Sequence, residues 1–122
     1  MSDSEKAVLL HEQQGDNCCQ AVLCAACGHC GLDEETAYRL GAFFGSGMRR
    51  GEVCGSVTGA LMVLGLQYGD ENNRKCQMSK EFLTAFESRF GSLLCRDLKR
   101  GEQKASCAEL IAYAADYLEE HL

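Results

Sequence analysis

Three cysteines near the amino terminus have the spacing of a cluster-binding run. Cys24, Cys27 and Cys30 follow one another as C-x2-C-x2-C, the pattern that opens the ligand segment of bacterial ferredoxins. That segment continues with a fourth cysteine after three residues and then a proline, but Glu34 occupies the fourth position and the chain contains no proline. In a helix, the three sulfurs would span about a third of the circumference and about 9 Å of the axis, so they would not converge on one cluster.

The alternative is that these cysteines belong to an alanine-rich helix. Residues 17–31 read NCCQAVLCAACGHCG, and Asp16 or Asn17 is a suitable N-cap for a helix that stops at Gly31. Free cysteine is among the residues that are most often buried. We therefore predict small, buried or half-buried thiols at four positions: Cys19, Cys24, Cys27 and Cys30.

Cys54 lies at a different kind of position, where a glycine-rich loop leads into an apolar segment in the sequence GEVCGS. The amide N–H groups and the positive dipole end of a helix N-terminus stabilise a thiolate and lower the pKa of the thiol. Arg49 and Arg50, just upstream, would act in the same direction. These features predict a reactive, low-pKa thiol at Cys54. The alternative is an ordinary residue at the start of a tightly packed helix.

The composition limits the classes of function. Of the 122 residues, 18 are acidic and 12 are basic, which gives a formal net charge of −6 and disfavours nucleic acid or an anionic membrane as the main partner. The first residues lack the basic start and apolar stretch of a secretory signal, and no apolar run reaches the ~18 residues of a membrane span. We therefore expect a cytoplasmic protein. In that reducing compartment, nine cysteines indicate metal ligands, redox thiols or buried thiols rather than a disulfide scaffold.

The elements that would position these cysteines are predicted to be helical, because no proline interrupts the segments of helical periodicity. The expected fold class is all-α, with a single compact helical bundle of about five to six helices forming one cysteine-rich domain over residues 1–122. The predicted helices are residues 4–14, 18–30, 33–44, 54–68, 79–90 and 105–122, with a short turn at 93–98 and polar breaks at 69–73 and 99–104.

Residues 54–68 are the most apolar segment, and we predict that they form the central, buried helix. The glycines of this segment are tolerated where neighbouring helices approach closely. The glycine-rich loop at residues 45–51 lacks a phosphate-binding pattern that ends in Gly-Lys-Ser/Thr, yet its glycines would let the backbone approach a cofactor or a partner closely. The candidate cofactor-binding glycines are Gly45, Gly47, Gly51 and Gly55.

Several further motifs have a recognisable arrangement. They are NCCQAV from residue 17, GLDEETA from residue 31, GSGM from residue 45, CGSVTGALMVLG from residue 54 and CRDL from residue 95, followed by Cys107. In this arrangement the chain resembles the C_GCAxxG_C_C family, which is named for its cysteine pattern. The resemblance extends from residue 17 to residue 115, and the glycine-rich loop followed by CGxxxGAL is its most specific part.

The resemblance implies a redox-active protein in which four residues, called here the family cysteines, carry the function. These are Cys18, Cys54, Cys95 and Cys107. Ser56 stands where the family name has alanine, which is an exchange of one small residue for another. The other five cysteines lie outside the family pattern, in agreement with the packing role predicted for four of them.

Three functions are open for the family cysteines. In thiol–disulfide exchange or electron transfer, Cys54 would be the nucleophile and Cys18, Cys95 or Cys107 its resolving partner. In a metal-binding protein, the same four residues would form a zinc or iron–sulfur site gathered from facing helices. In a non-catalytic interaction bundle they would only pack. The first function implies an unidentified redox partner protein, and exposed thiols together with a glycine-rich helix would suit a homodimer.

Overall fold

The part of the chain that is described in the computed structural model comprises residues 1–71, 74–101 and 104–122. It is built from α-helices, so the predicted all-α fold class is confirmed. The predicted polar breaks at 69–73 and 99–104 lie partly outside the described residues. The helices are α1 (Asp3–Gln14), α2 (Cys18–Ala26), α3 (Glu34–Leu40), α4 (Gly55–Tyr68), α5 (Lys75–Phe90), α6 (Cys95–Leu98) and α7 (Cys107–His121). None of these described helices is both long and apolar enough to cross a membrane.

Helix α2 occupies the centre of the core. A capping box defines its start, because the Asn17 side chain accepts from the Gln20 N–H and the Gln20 side chain accepts from the Asn17 N–H. All nine residues of α2 are buried, against α1, α3, α4 and α7. The helix ends at Ala26, and a 3₁₀ turn (Cys27–Cys30) leads to Gly31 in the left-handed conformation. The α-helix is therefore shorter than predicted, although its stop at Gly31 is confirmed.

Helix α4 packs closely against α2 because two of its glycines face that helix. A Cβ atom added at Gly55 would lie 3.0 Å from the backbone nitrogen of Cys19, and one added at Gly59 would lie 2.9 Å from the carbonyl oxygen of Cys19. Gly65, in contrast, has open space around it, and the last turn of α4 is largely exposed. The prediction that α4 is the central, buried helix is not confirmed, since α2 is the helix that is buried on every side.

The other helices agree with the predictions apart from some of their ends. Asp33 caps α3 and Ser106 caps α7, each through a side-chain oxygen that accepts a hydrogen bond from the first turn. Helix α3 ends at Leu40 rather than at residue 44, and α5 begins at Lys75, one turn before the predicted start. These differences do not change which segments meet at the family cysteines.

An aromatic cluster joins α5 to α7. Phe82 and Phe86 are fully buried. The ring centroids of Phe82 and Tyr117 lie 5.0 Å apart, and those of Phe90 and Tyr113 lie 5.3 Å apart, both in edge-to-face arrangements. Such pairs add to the stabilisation that comes from burial of the rings, so this cluster holds α7 in place.

The loop between α3 and α4 contains one turn of left-handed helix. Ser46, Met48 and Arg49 have φ angles of 54°, 59° and 60°, and Gly47 between them has a φ angle of 63°. Left-handed backbone costs a residue other than glycine about 1–2 kcal/mol, so neighbouring contacts must hold the turn. The N–H of Glu52 donates to the carbonyl oxygen of Gly47 at 2.9 Å and closes it. Backbone strain of this kind is concentrated at functional sites.

Candidate functional site

All four family cysteines lie at the start of a helix. Cys18 and Cys107 are the first residues of α2 and α7, Cys54 is the N-cap of α4, and Cys95 is the first residue of the short helix α6. The N–H groups of a first helical turn have no partner within the helix, and the dipole of a full-length helix favours a negative charge there. The starts of α2, α4 and α7 are therefore positions at which a thiolate is favoured.

The starts of α2, α4 and α7 lie side by side. A Cβ atom added at Gly55 would lie 3.1 Å from the Cβ of Cys18, so α4 and α2 meet at their first turns. The side chain of Cys107 is close enough to that of Cys18 for each thiol to shift the pKa of the other, which joins α7 to them. Cys54 is also close to Cys18, so a negative charge on Cys54 would raise the pKa of Cys18. Three sulfurs from three helices are thus neighbours.

Cys95 extends this set from the segment before α6. An antiparallel β-bridge pairs Val53 with Leu94, and the N–H groups of Cys54 and Cys95 donate across it at 2.8 and 2.7 Å. Because side chains alternate along paired strands, Cys54 and Cys95 lie on the same side of the bridge as diagonal neighbours. The family cysteines are therefore neighbours, and we call Cys107, Cys18, Cys54 and Cys95 the thiol row.

Cys107 is the member of the thiol row that is held as a thiolate. Hydrogen bonding by the Cys18 thiol, and then by the ammonium group of Lys99, lowers the pKa of Cys107 well below its usual range, against the effect of burial. The nearby ring of His11 acts in the same direction as Lys99. The same contact with Cys107, together with burial, raises the pKa of Cys18. The two cysteines therefore share one proton, which stays on Cys18 and leaves the negative charge on Cys107.

Cys54 does not have the lowered pKa that its position predicts. Burial raises the pKa of Cys54 and outweighs the backbone N–H groups of Ser56 and Val57, which favour the thiolate. Only 2% of Cys54 is exposed. The Ser56 hydroxyl, buried beside it, has no hydrogen-bond partner among the described residues, so it is free to donate to a sulfur that carries charge. The predicted lowering of the pKa at Cys54 is therefore wrong, and it is the pKa of Cys107 that is lowered; the role of Cys54 as a nucleophile stays a prediction.

The candidate cofactor-binding glycines are in contact with the protein itself. A Cβ atom added at Gly45 would lie 2.7 Å from the Cβ of Asn17, and one added at Gly47 would lie 2.9 Å from the Cβ of Cys95. Gly51 lies against α6 in a similar way, and Gly55 lies against α2. These glycines let the left-handed turn pack on the thiol row, and a contact with a cofactor remains a prediction.

The five other cysteines lie outside the thiol row. Cys19, Cys24 and Cys27 are buried, Cys30 is half-buried and Cys76 is exposed, and all nine cysteines of the chain are free thiols. Burial raises the pKa of both Cys19 and Cys24 to about 12, and it also raises the pKa values of Cys27 and Cys30. The predicted burial of the cysteines in residues 19–30 is confirmed.

A metal site is the other arrangement predicted for the family cysteines. In the part of the chain that the structure describes, no group of three or more His, Cys, Asp or Glu side chains is arranged to hold a metal ion. Metal binding by Cys18, Cys54, Cys95 and Cys107 would therefore require the four side chains to move closer together.

Lys99 and His11 are the site residues that the sequence analysis missed. Buried Leu98 accepts a hydrogen bond from the N–H of Ala105 at 2.9 Å, so Lys99 lies next to the start of α7 and reaches Cys107. The only signal for Lys99 in the sequence was its position between two family cysteines, Cys95 and Cys107. His11 comes to the site because α1 packs against α7, a contact that no local pattern predicts.

The fold and the site define a helical, cysteine-rich protein with a cluster of free thiols at helix starts. The sequence matches the family described as "Putative redox-active protein (C_GCAxxG_C_C)" over residues 16–121, and the chain belongs to this family. No curated protein and no solved structure was found to match the chain.

Proposed function

We propose that the protein is a thiol–disulfide redox protein in which Cys107 and Cys18 form the reacting dithiol. The observation that supports this most strongly is the Cys107 thiolate, held between the Cys18 thiol and the Lys99 ammonium group. A thiolate is the form that attacks a disulfide, and a second thiol in contact with it can resolve the mixed disulfide that results. The redox-active description of the family supports the same conclusion.

The proposed reaction reduces a disulfide on a partner protein or a small molecule. The Cys107 thiolate attacks one sulfur of that disulfide, which forms a mixed disulfide and releases the other sulfur as a thiol with a proton from water. The Cys18 sulfur then attacks the Sγ of Cys107, and the Cys18 proton leaves with the second substrate sulfur. Cys18 and Cys107 end as a disulfide, oxidised by two electrons, and the substrate ends as two thiols.

The exposure of the two cysteines supports this division of roles. Cys107 is half-buried and can be approached from solvent, whereas Cys18 is buried and is suited to the resolving step. Lys99 acts as a positioning residue that keeps Cys107 charged before the attack. A reducing cytoplasm, the predicted location, would return the disulfide to the dithiol after each cycle.

A redox titration with mixtures of reduced and oxidised glutathione tests the proposal. The wild-type protein should lose two of its nine thiols in one step, because a single dithiol is oxidised. Cys107→Ser and Cys18→Ser should each abolish that step. Cys76→Ser is the matched control, since Cys76 is exposed and lies outside the thiol row. Retention of all thiols by the wild-type protein, or an unchanged step in Cys18→Ser, would contradict the proposal.

A four-cysteine zinc or iron–sulfur site is the second candidate function, and the meeting of four sulfurs from four segments favours it. Burial of Cys18 and Cys54 would shield a cluster from water. Anaerobic purification followed by metal analysis and a visible spectrum tests this candidate. Cys95→Ser separates the two functions, because the dithiol reaction does not need Cys95 whereas a four-thiolate site does. If no variant alters thiol chemistry or metal content, the cysteines serve only packing.

A further inference from the structure

A cavity separate from the thiol row opens between α1, α2 and α3. Its volume is about 350 Å³, and no family cysteine lines it. Asp16 and Cys24, both buried, form its floor, and Glu34, Glu35 and Tyr38, all exposed, stand at its rim. Three carboxylates thus surround a space that can hold a ligand of several non-hydrogen atoms.

Asp16 is a buried residue that lines this cavity, and its carboxylate has no hydrogen-bond partner among the described residues. Only 4% of Asp16 is exposed, yet nothing in residues 1–71, 74–101 and 104–122 donates a hydrogen bond to its carboxylate oxygens. The ring of His11 bonds to the backbone carbonyl of Asp16 instead. Burial and the nearby carboxylate of Glu34 raise the pKa of Asp16, and His11 acts in the opposite direction. A carboxylate that is largely withdrawn from water is stabilised by a paired charge, so the floor of this cavity has a place for a cation.

The arrangement fits an organic cation better than a metal ion. The described His, Cys, Asp and Glu side chains include no group of three that could hold a metal, so the acidic groups do not converge on one small ion. An ammonium group on the floor can contact Asp16 while the rest of the ligand extends to the rim. There Tyr38 offers an aromatic face and Glu35 a second carboxylate, whereas Glu34 is already paired with Lys6.

We propose that this cavity binds a small organic cation through an ammonium group, with Asp16 as the buried counter-ion and Glu35 as the contact at the rim. Binding here does not involve the thiol row. The proposals for the cavity and for the dithiol are therefore tested by separate experiments, and a negative result for one does not contradict the other.

Calorimetric titration with 1,4-diaminobutane tests the proposal, with 1,4-butanediol as the uncharged probe of similar length. The wild-type protein should bind the diamine and not the diol. Asp16→Asn keeps the shape of the side chain and removes its charge, so it should bind the diamine at least about tenfold more weakly, as expected for loss of a hydrogen bond between charged groups. Asp116→Asn, which removes an exposed charge on α7, is the matched control and should bind like the wild-type protein.

Thermal unfolding supplies a second readout. Without ligand, Asp16→Asn should unfold at the same temperature as the wild-type protein or higher, because it loses an unpaired charge. The diamine should raise the unfolding temperature of the wild-type protein by more than that of the variant. Absence of diamine binding, equal affinity in Asp16→Asn, equal binding of the diol, or failure of Asp16→Asn to fold would each overturn the proposal. Tight binding of Mg²⁺ or Zn²⁺ without binding of the diamine would overturn it in favour of a metal site.

Discussion

The thiol row and the buried cysteines of residues 19–27 are both rich in sulfur, but Cys107 of the thiol row is in the opposite electrostatic situation to the buried cysteines. Burial raises the pKa values of Cys19, Cys24 and Cys27. The pKa of Cys107 is lowered, because a thiol and an ammonium group donate to its sulfur. The density of cysteines along the chain therefore says little about reactivity. What distinguishes the two regions is a donor beside the sulfur together with partial access to solvent.

The difference between Cys107 and the buried cysteines would be refuted most clearly if Cys107 reacted like a thiol without a hydrogen-bond donor beside it. At pH 6 a thiol of unperturbed pKa is ionised to less than about 1%, whereas Cys107 is expected to be largely a thiolate. After allowance for the lower nucleophilicity of low-pKa thiolates, iodoacetamide should modify Cys107 at least about tenfold faster than exposed Cys76 at pH 6. Peptide mass spectrometry over a time course measures both rates. Cys107→Ser should remove the fast reaction, and identical pH profiles for the two cysteines would contradict the assignment.

Removal of the Lys99 ammonium group should raise the pKa of Cys107 and so make it more like the pKa values of the buried cysteines. Lys99→Met keeps an unbranched side chain and removes the ammonium group, so the pKa of Cys107 should rise by about 1 unit or more. Its alkylation at pH 6 should slow several-fold. Lys104→Met removes an exposed positive charge from the same connecting segment and is the control. An unchanged pH midpoint in Lys99→Met would mean that the Cys18 contact alone holds the thiolate.

The buried cysteines should affect stability and leave the reactivity of the thiol row unchanged. Cys19 has no exposed surface, so Cys19→Ser replaces a weakly polar thiol by a hydroxyl in an apolar site. This should lower the free energy of unfolding by about 1–2 kcal/mol. Urea unfolding, combined with the alkylation assay on Cys107, measures both properties. A variant with full stability but slower alkylation of Cys107 would mean that the two regions are not independent.

The smallest predicted effect is a loss of folding stability at alkaline pH, which tests whether the Cys24 thiol is buried. The pKa of Cys24 in the folded protein is about 12, above the value of about 8.5 for an unfolded thiol. The stability that Cys24 contributes is therefore fully present below the unfolded pKa and is lost as pH rises towards the folded one. Between pH 7 and pH 9.5, the wild-type protein should lose about 1 kcal/mol more stability than Cys24→Ala. Equal losses in urea unfolding would contradict the burial of this thiol.

Signals that are local in the sequence were sufficient to predict where the helices lie. Asn17 is a cap residue as predicted, and Asp33 and Ser106 cap helices that begin within two residues of their predicted starts, because capping depends on a side chain and the turn that follows it. The break at residues 45–51 was also predicted. Its left-handed conformation was not, since Met48 and Arg49 adopt positive φ angles that only the surrounding contacts can maintain.

The electrostatics of the site could not be predicted in this way. Cys54 was expected to have a low pKa from its place at a helix start, but that argument omits the burial that α2 imposes when it packs on Gly55. Lys99 reaches Cys107 because the backbone of Leu98 pairs with that of Ala105, close to the start of α7. Desolvation and charge pairing depend on atoms that distant segments supply, and no local pattern encodes them.

Disulfide mapping after oxidation tests the role of the Cys18 and Cys107 pair most directly. The protein is oxidised with excess oxidised glutathione, the remaining thiols are alkylated, and peptides are analysed by mass spectrometry without reduction. We predict one intramolecular disulfide, between Cys18 and Cys107, and its absence in Cys107→Ser. A disulfide between Cys54 and Cys95 in its place, or a protein in which all nine thiols stay reduced, would contradict the assignment of the reacting dithiol.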